Sequence, residues 1–334
     1  MYELLGICVV LAALMLLNAA ASLAAALVWR LIAPLARSCS ARTQSDLLFT
    51  LRFAAPVLAA IVVAVFLIPS YLDYEPRATA EVVSLKLAAL ASLSAASVTF
   101  ALWRTIRSWL ATAALRKQWL ASAKRIHVPG IDVPAFSISH RFPIIAIVGT
   151  LRPQLFIAGD VLSALTPDEM AAAIAHECGH LAARDNLKRT LLRIARDSLF
   201  LIPFGRAVDR VWAETAESAA DEFAARQSPV VALNLASALV RIAKMVPAGA
   251  RADVPLGAYL VGAEETQGVK SRIRRLIEIS SNHSRMAATN NSLVRLLPFT
   301  SFTAIAAAAS IIAANGKVLM GVHNILENAV SLLS

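Results

Sequence analysis

Cysteine, charge and aromatic rings are all scarce in this 334-residue chain, which has three cysteines, 16% charged residues and 6% aromatics. Each shortage excludes something. An average soluble domain has roughly a quarter of its residues charged, and the deficit argues against a disordered chain or a nucleic-acid-binding tail protein. Three cysteines are too few for a disulfide framework, and Cys8, Cys39 and Cys178 include no C-x-x-C pair. Reduced thiols and a cytosolic face are therefore expected. The apolar excess, 58% of the chain, is aliphatic and alanine-rich, which suits helices packed in lipid as well as a water-soluble core. The length allows about two domains. The balance of 32 Lys+Arg against 22 Asp+Glu, a formal +10, takes its meaning from where the charges sit.

Four runs carry no charge: Leu4–Trp29, Phe53–Leu72, Leu87–Trp103 and Leu296–Gly316. A bilayer core takes about 20 apolar residues of helix, with roughly 17 to 25 tolerated. The runs predict spans at about 4–29, 53–72, 85–103 and 296–316. The first is too long for a signal-peptide core and lacks a basic start. Arg30, Arg37, Arg42 and Arg52 against Asp46 separate the first two spans, and Asp73, Glu75 and Glu81 against Arg77 separate the next two. After the third come Arg104, Arg107, Arg116, Lys117, Lys124 and Arg125 without an acid. Lys and Arg favour the cytoplasmic side. Both termini are therefore expected outside an inner (cytoplasmic) membrane and the region after Trp103 inside, with 104–125 a basic skirt near anionic headgroups. This bias explains much of the net charge, so no nucleic-acid partner is expected. Trp103, Trp109 and Trp119 read as interfacial anchors, and Arg272, Arg274 and Arg275 as an orientation signal before the fourth span.

Between the third and fourth spans lies enough chain for one modest domain. Ile144–Val148 and Leu155–Ile157 read as short strands about a turn at 149–153, and the signal is helical from Asp160 almost to Ile279. Within this region His176-Glu177-Cys178-Gly179-His180 fits H-E-x-x-H. Thr166-Pro167-Asp168-Glu169 is a capping box with proline at the first helical position, so the motif falls in the third turn of a helix. Spacing i to i+4 puts both histidines on one face, where each can reach a Zn²⁺ at about 2.0–2.1 Å. Glu177, about 100° round the helix, can touch a water there without ligating the metal. Gly179 in mid-helix costs up to about 1 kcal/mol relative to alanine, and a close approach by another element would explain it. Cys178, on the opposite side, reads as a packed thiol.

A catalytic zinc needs a third protein ligand, and Trp212–Phe223 offers Glu214, Glu217, Asp221 and Glu222. Glu217 and Asp221 share a helix face, so one can bind metal while the other orients a ligand histidine. Glu214, on that face too, is the reserve ligand. Asp185 supports the site or pairs with Arg184 or Arg189, and Asp197 pairs with neighbouring arginines. Arg184, Asn186 and His140 are the candidates for an oxyanion partner, and Ile144–Val148 offers an edge for an extended substrate. His127, His283 and His323 are isolated and read as solvated or locally bonded.

The run Arg152-Pro153, Leu165–Glu169, His176–His180, Arg184-Asp185-Asn186 and Glu217-x-x-x-Asp221 resembles integral-membrane gluzincin peptidases of the BlaR/MecR-type sensor-transducer group. The HtpX and CaaX-prenyl (Ste-type) proteases are neighbouring families. The likeness covers roughly residues 140 to 227, together with the order of three spans, a protease domain and a fourth span. It implies Zn²⁺ on His176, His180 and Glu217, Glu177 as general base, and Asp221 behind a ligand. The β-lactam receptors of that group continue into a penicillin-binding sensor with an S-x-x-K serine. About 18 residues follow Gly316 here without that motif, so covalent β-lactam sensing is not expected. The expected fold class is a mainly α membrane protein. Four transmembrane helices carry a cytoplasmic α+β gluzincin-type metalloprotease domain between the third and fourth, divided as 1–110, 111–292 and 293–334. The expected activity is a zinc-dependent endopeptidase acting on a cytoplasmic or juxtamembrane protein or peptide, in signalling or regulated proteolysis. An HtpX-like quality-control protease, or a non-catalytic membrane receptor or scaffold with a structural metal, would share that fold.

Overall fold

The first three apolar runs fold into helices that overrun them at both ends. The computed structural model describes residues 2–77, 83–199, 205–246, 266–281 and 297–333. Its first helices are α1 (Tyr2–Ala36), α2 (Ala41–Val62), α3 (Ile68–Tyr74) and α4 (Leu85–Ser122). Serines start two of them: Ser40 Oγ accepts from the Thr43 amide and Ser84 Oγ from the Leu87 amide, both at 3.2 Å. A π turn, Val63–Leu67, joins α2 to α3 just ahead of Pro69, whose ring nitrogen has no proton for the helical ladder. Tyr2–Ala36, Ala41–Tyr74 and Leu85–Ser122 are long and apolar enough to cross a bilayer. At the C-terminus α11 (Leu297–Ala313) and α12 (Gly316–Leu333) are bent by 93°, and counting that pair as one span makes four.

Three sequence readings change here. The basic segment between the first two spans is not a long loop but the turn Arg37–Ser40, because its charges find partners. Arg42 Nε lies 3.0 Å from Asp46, which also binds Lys188, and buried Arg52 donates to Asp209 at 3.2 Å and to Ser22 at 3.3 Å. Trp119 is not an interfacial anchor. Because α4 continues well past Trp103, Trp119 is buried with its ring 5.2 Å from Phe156. The segment after Gly316 is a helix rather than a tail. It lies against α3, where Ser70 Oγ donates to Leu319 O at 2.9 Å and Tyr74 to Gly316 O at 3.0 Å. That packing buries His323, and its Nε2 lies 3.3 Å from Glu327 one turn on, the local bonding that was one of its two readings.

The rest forms one mixed layer of sheet and helices. Strands β1 (Lys124–Ile126), β2 (Ala135–Ile138), β3 (Ile145–Val148) and β4 (Gln154–Ala158) lie in the order β1-β2-β4-β3. β2 and β4 run parallel; the other pairs are antiparallel, with Ile147 opposite Leu155. Gly149 makes the β3–β4 turn at φ 106, where a Cβ would sit 2.8 Å from Arg152 O. Then follow α5 (Gly159–Ala164), α6 (Pro167–Ala183), α7 (Asp185–Asp197), α8 (Arg206–Ala225), α9 (Pro229–Met245) and α10 (Thr266–Ser281). Ile144, Leu155, Phe156 and Ile157 of the sheet are fully buried in one core with Leu235 and Leu239 of α9 and Leu276 of α10, each contributing about 1.5–3 kcal/mol. A second core joins Leu48 and Phe49 of α2 to Leu192 of α7 and to Val208, Trp212 and Ala216 of α8.

Candidate metal centre

Helix α6 is aimed by its ends. Thr166 Oγ1 accepts from the Glu169 amide at 3.3 Å and the Glu169 carboxylate from the Thr166 amide at 2.9 Å, closing the capping box over Pro167. At its other end Arg184 adopts a left-handed conformation, φ 53. This turns the chain between α6 and α7 and leaves Asp185, at the start of α7, beside His180. Asp185 Oδ2 and His180 Nδ1 are 2.7 Å apart. On α8, Asp221 Oδ1 lies 2.9 Å from His176 Nδ1.

With each Nδ1 held by a carboxylate, the two Nε2 atoms face one another at 3.1 Å. Glu217 reaches them from α8, Oε2 at 3.7 Å from His176 and Oε1 at 3.6 Å from His180. One ligand atom from each of these three residues falls within 4.8 Å of the other two. Two imidazole nitrogens and a carboxylate oxygen, the histidines braced from behind, are the donor set that Zn²⁺ takes. Glu214 is exposed and outside this group. Glu222 accepts from the Ala41 amide and binds Arg275.

The element that comes close to Gly179 is α8. A Cβ there would lie 3.0 Å from Ala220 Cα and 3.2 Å from Phe223 Cβ, contacts between two helix backbones with little freedom to yield. Gly179→Ala is expected to push α8, and Glu217 with it, away from the histidines. Zinc affinity should fall at least tenfold, about 1.4 kcal/mol, although alanine favours helix; competitive titration with a chromophoric chelator measures it.

The site's charges are set by burial and by one another. His176 and Glu177 are 0% exposed and Asp221 0%. Burial alone would raise the Glu217 carboxyl, but His180, the nearby His176 imidazole and the Arg272 guanidinium hold it well below the usual range. Burial likewise opposes ionisation of Asp221, yet Arg272 and His176 bring it to about 2. Desolvation lowers His180, but Glu217 and Asp185 outweigh it and raise it to about 10. The acids thus stay ionised around a point that attracts a cation. Glu177 differs: burial pushes its carboxyl up, and neither of its oxygens has a hydrogen-bond partner among the described residues.

Glu177 and His180 line a cavity of about 290 Å³ whose wall includes Ile147, Pro153, Leu181, Arg184 and Asn186. Of the oxyanion candidates, Arg184 and Asn186 are on this wall. His140 is not; its Nδ1 accepts from the Phe142 amide at 3.0 Å and its ring meets Trp119. Cys178 is half-buried, its thiol 3.4 Å from Gly130 O. Asp197 pairs with Arg104 and Arg196. His283 lies outside the described residues.

Sequence reasoning missed Arg272. Read as an orientation signal, it instead sits in the site, because α10 is a packed helix rather than a lead-in to a span. Its Nη2 donates to Asp221 at 2.7 Å and its Nη1 lies 3.2 Å from Glu217. Val269, Ile273, Leu276 and Ile279, at helical spacing, were the signal available. Comparison with curated proteins and with solved structures gave no significant match. Residues 110–260 do match the model of Peptidase family M48. That segment contains His176, Glu177, His180 and Glu217, and with helices apolar enough to span a bilayer the likeness supports a membrane-associated metallopeptidase.

Proposed function

We propose that this chain is a membrane-embedded, zinc-dependent endopeptidase that hydrolyses peptide bonds of a cytoplasmic or juxtamembrane protein in regulated proteolysis. The observation that carries the reading is the convergence of His176 Nε2, His180 Nε2 and Glu217 beside a buried carboxylate, Glu177, whose oxygens have no hydrogen-bond partner among the described residues. The basic residues after Trp103 support a cytoplasmic position. A bound Zn²⁺ supplies Lewis acidity, polarising a carbonyl and lowering the pKa of water towards neutrality. His176, His180 and Glu217 would hold it, with Asp221 and Asp185 fixing the imidazole tautomers. Glu177 takes the proton of the attacking water and passes it to the leaving amine. Arg184 lies on the wall of the cavity that Glu177 and His180 also line.

β3 is an edge strand whose four residues are all buried, and among the described residues it pairs with β4 and with no other strand. On its outer side Asn186 Nδ2 donates to Ile147 O at 2.9 Å and to Gly149 O at 3.1 Å. Asn186 therefore ties β3 to the start of α7, next to the aspartate that holds His180. The experiment is metal removal and return. In nanodiscs, 1,10-phenanthroline is expected to abolish cleavage of labelled casein and of a mixed peptide library, and stoichiometric Zn²⁺ to restore it. Cleavage that survives the chelator, or a zinc-loaded chain that cuts nothing in either set, would count against the proposal.

A further inference from the structure

The outer edge of β3 is covered, although no strand covers it among the described residues. Ile145, Ala146, Ile147 and Val148 are each 3% exposed or less. The Ile144 carbonyl accepts from the Ala158 amide at 2.8 Å and so points to β4. By the alternation of an antiparallel ladder, the carbonyls of Ile145 and Ile147 then point away from β4. Asn186 meets the second of these. Its Nδ2 donates to Ile147 O at 2.9 Å and, one residue past the strand, to Gly149 O at 3.1 Å. Two carbonyl partners fix which end of the amide faces the strand, since only its NH2 can donate to both. Ile147, Gly149 and Asn186 line the same cavity as Glu177 and His180.

A polypeptide that added to β3 as a further strand would bring a main-chain N–H to Ile147 O, the position that Asn186 Nδ2 holds. We propose that Asn186 is a latch on this edge: it closes β3 at rest and swings away when an extended polypeptide pairs there. The inference rests on the reading that such a polypeptide is the substrate. Asn186 is the second residue of α7, and its backbone carbonyl accepts from Thr190 Oγ1 at 2.8 Å. Rotation of the side chain to another rotamer releases both β3 bonds and leaves that backbone in place. The exchange is nearly even, because the incoming N–H replaces the amide donor at the same oxygen. The latch therefore selects chains that can extend and offer a main-chain donor at this point. A proline there has none to offer.

The test separates binding from turnover. Full-length Glu177→Gln chain in nanodiscs, loaded with Zn²⁺, is titrated against fluorescein-labelled casein and followed by anisotropy. Adding Asn186→Ala is expected to tighten casein binding about fivefold or more, as removal of a competing hydrogen-bond donor should. With Glu177 intact, the same substitution is expected to lower KM more than it changes kcat. A side chain that only ties β3 to α7 predicts the reverse, weaker binding. Unchanged or weaker affinity, or casein bound by neither chain, overturns the proposal. Tighter binding to the Asn186→Ala chain, beside a zinc-loaded wild type that cuts nothing, would leave the latch standing and overturn the peptidase reading instead. Should Asn186→Ala fail to fold, Asn186→Asp keeps the shape, lacks the donor and reads the same affinity.

Discussion

Glu177→Gln is expected to lower peptide hydrolysis by about 10²–10⁴-fold, the usual contribution of a positioned acid–base group, while one zinc per chain stays bound. Glutamine keeps the shape of the side chain but cannot take a proton from water. The same substitution should leave the protein at least as stable as wild type. Glu177 is 0% exposed and neither of its oxygens is hydrogen-bonded within the described residues, so its charge costs free energy that a neutral amide does not. Inactivity with retained metal and an undiminished unfolding temperature would separate lost chemistry from lost structure. Wild-type turnover in this variant, with zinc in place, would remove Glu177 from the mechanism and favour a non-catalytic metal site.

Glu217→Ala is expected to strip the metal. Loss of a residue that merely braces a ligand costs roughly 10–100-fold in metal affinity, and Glu217 is itself the third member of the donor group. Its removal should therefore exceed that range, so that protein dialysed against micromolar chelator retains zinc as wild type but not as the variant. Glu214→Ala, at an exposed position three residues earlier on α8, should retain zinc fully. Asp221→Asn should fall between, because His176 keeps its ligand atom but loses the partner that fixes its tautomer. Equal zinc in wild type and Glu217→Ala would move the third ligand elsewhere. Elemental analysis reads the effect without any substrate.

What the sequence reveals here is what local rules encode. Thr166-Pro167-Asp168-Glu169 writes the start of α6 in four residues, and β3 and β4 show as β-branched runs about a glycine turn. The spacing of H-E-x-x-H and of Glu217 to Asp221 puts each pair on one helix face before any fold is known. Non-local facts escaped. β1 and β2 are three and four residues long, and their pairing joins segments whose polarity gives no period. Trp119 looks like an anchor because nothing local says that α4 continues into a core. Arg272 stood in a run of arginines that positive-inside statistics explain too easily; only the packing of α10 against α8 and α9 turns it towards Asp221. Gly179 lay between these cases. Its sequence position announced a close neighbour, and only the structure names Ala220.

The second spanning helix does more than anchor. Its opening residue, Ala41, gives its amide to Glu222, next to Asp221; Asp46 holds Lys188, one turn from Asp185; and Leu48 and Phe49 fill a core with α7 and α8. A recombinant fragment trimmed to start after the third span would therefore expose an unfilled face directly behind the candidate metal centre. The half that holds this centre is packed on that helix rather than tethered to it by a leash. Cutting it from the bilayer, in the laboratory or in the cell, should end its activity rather than release it.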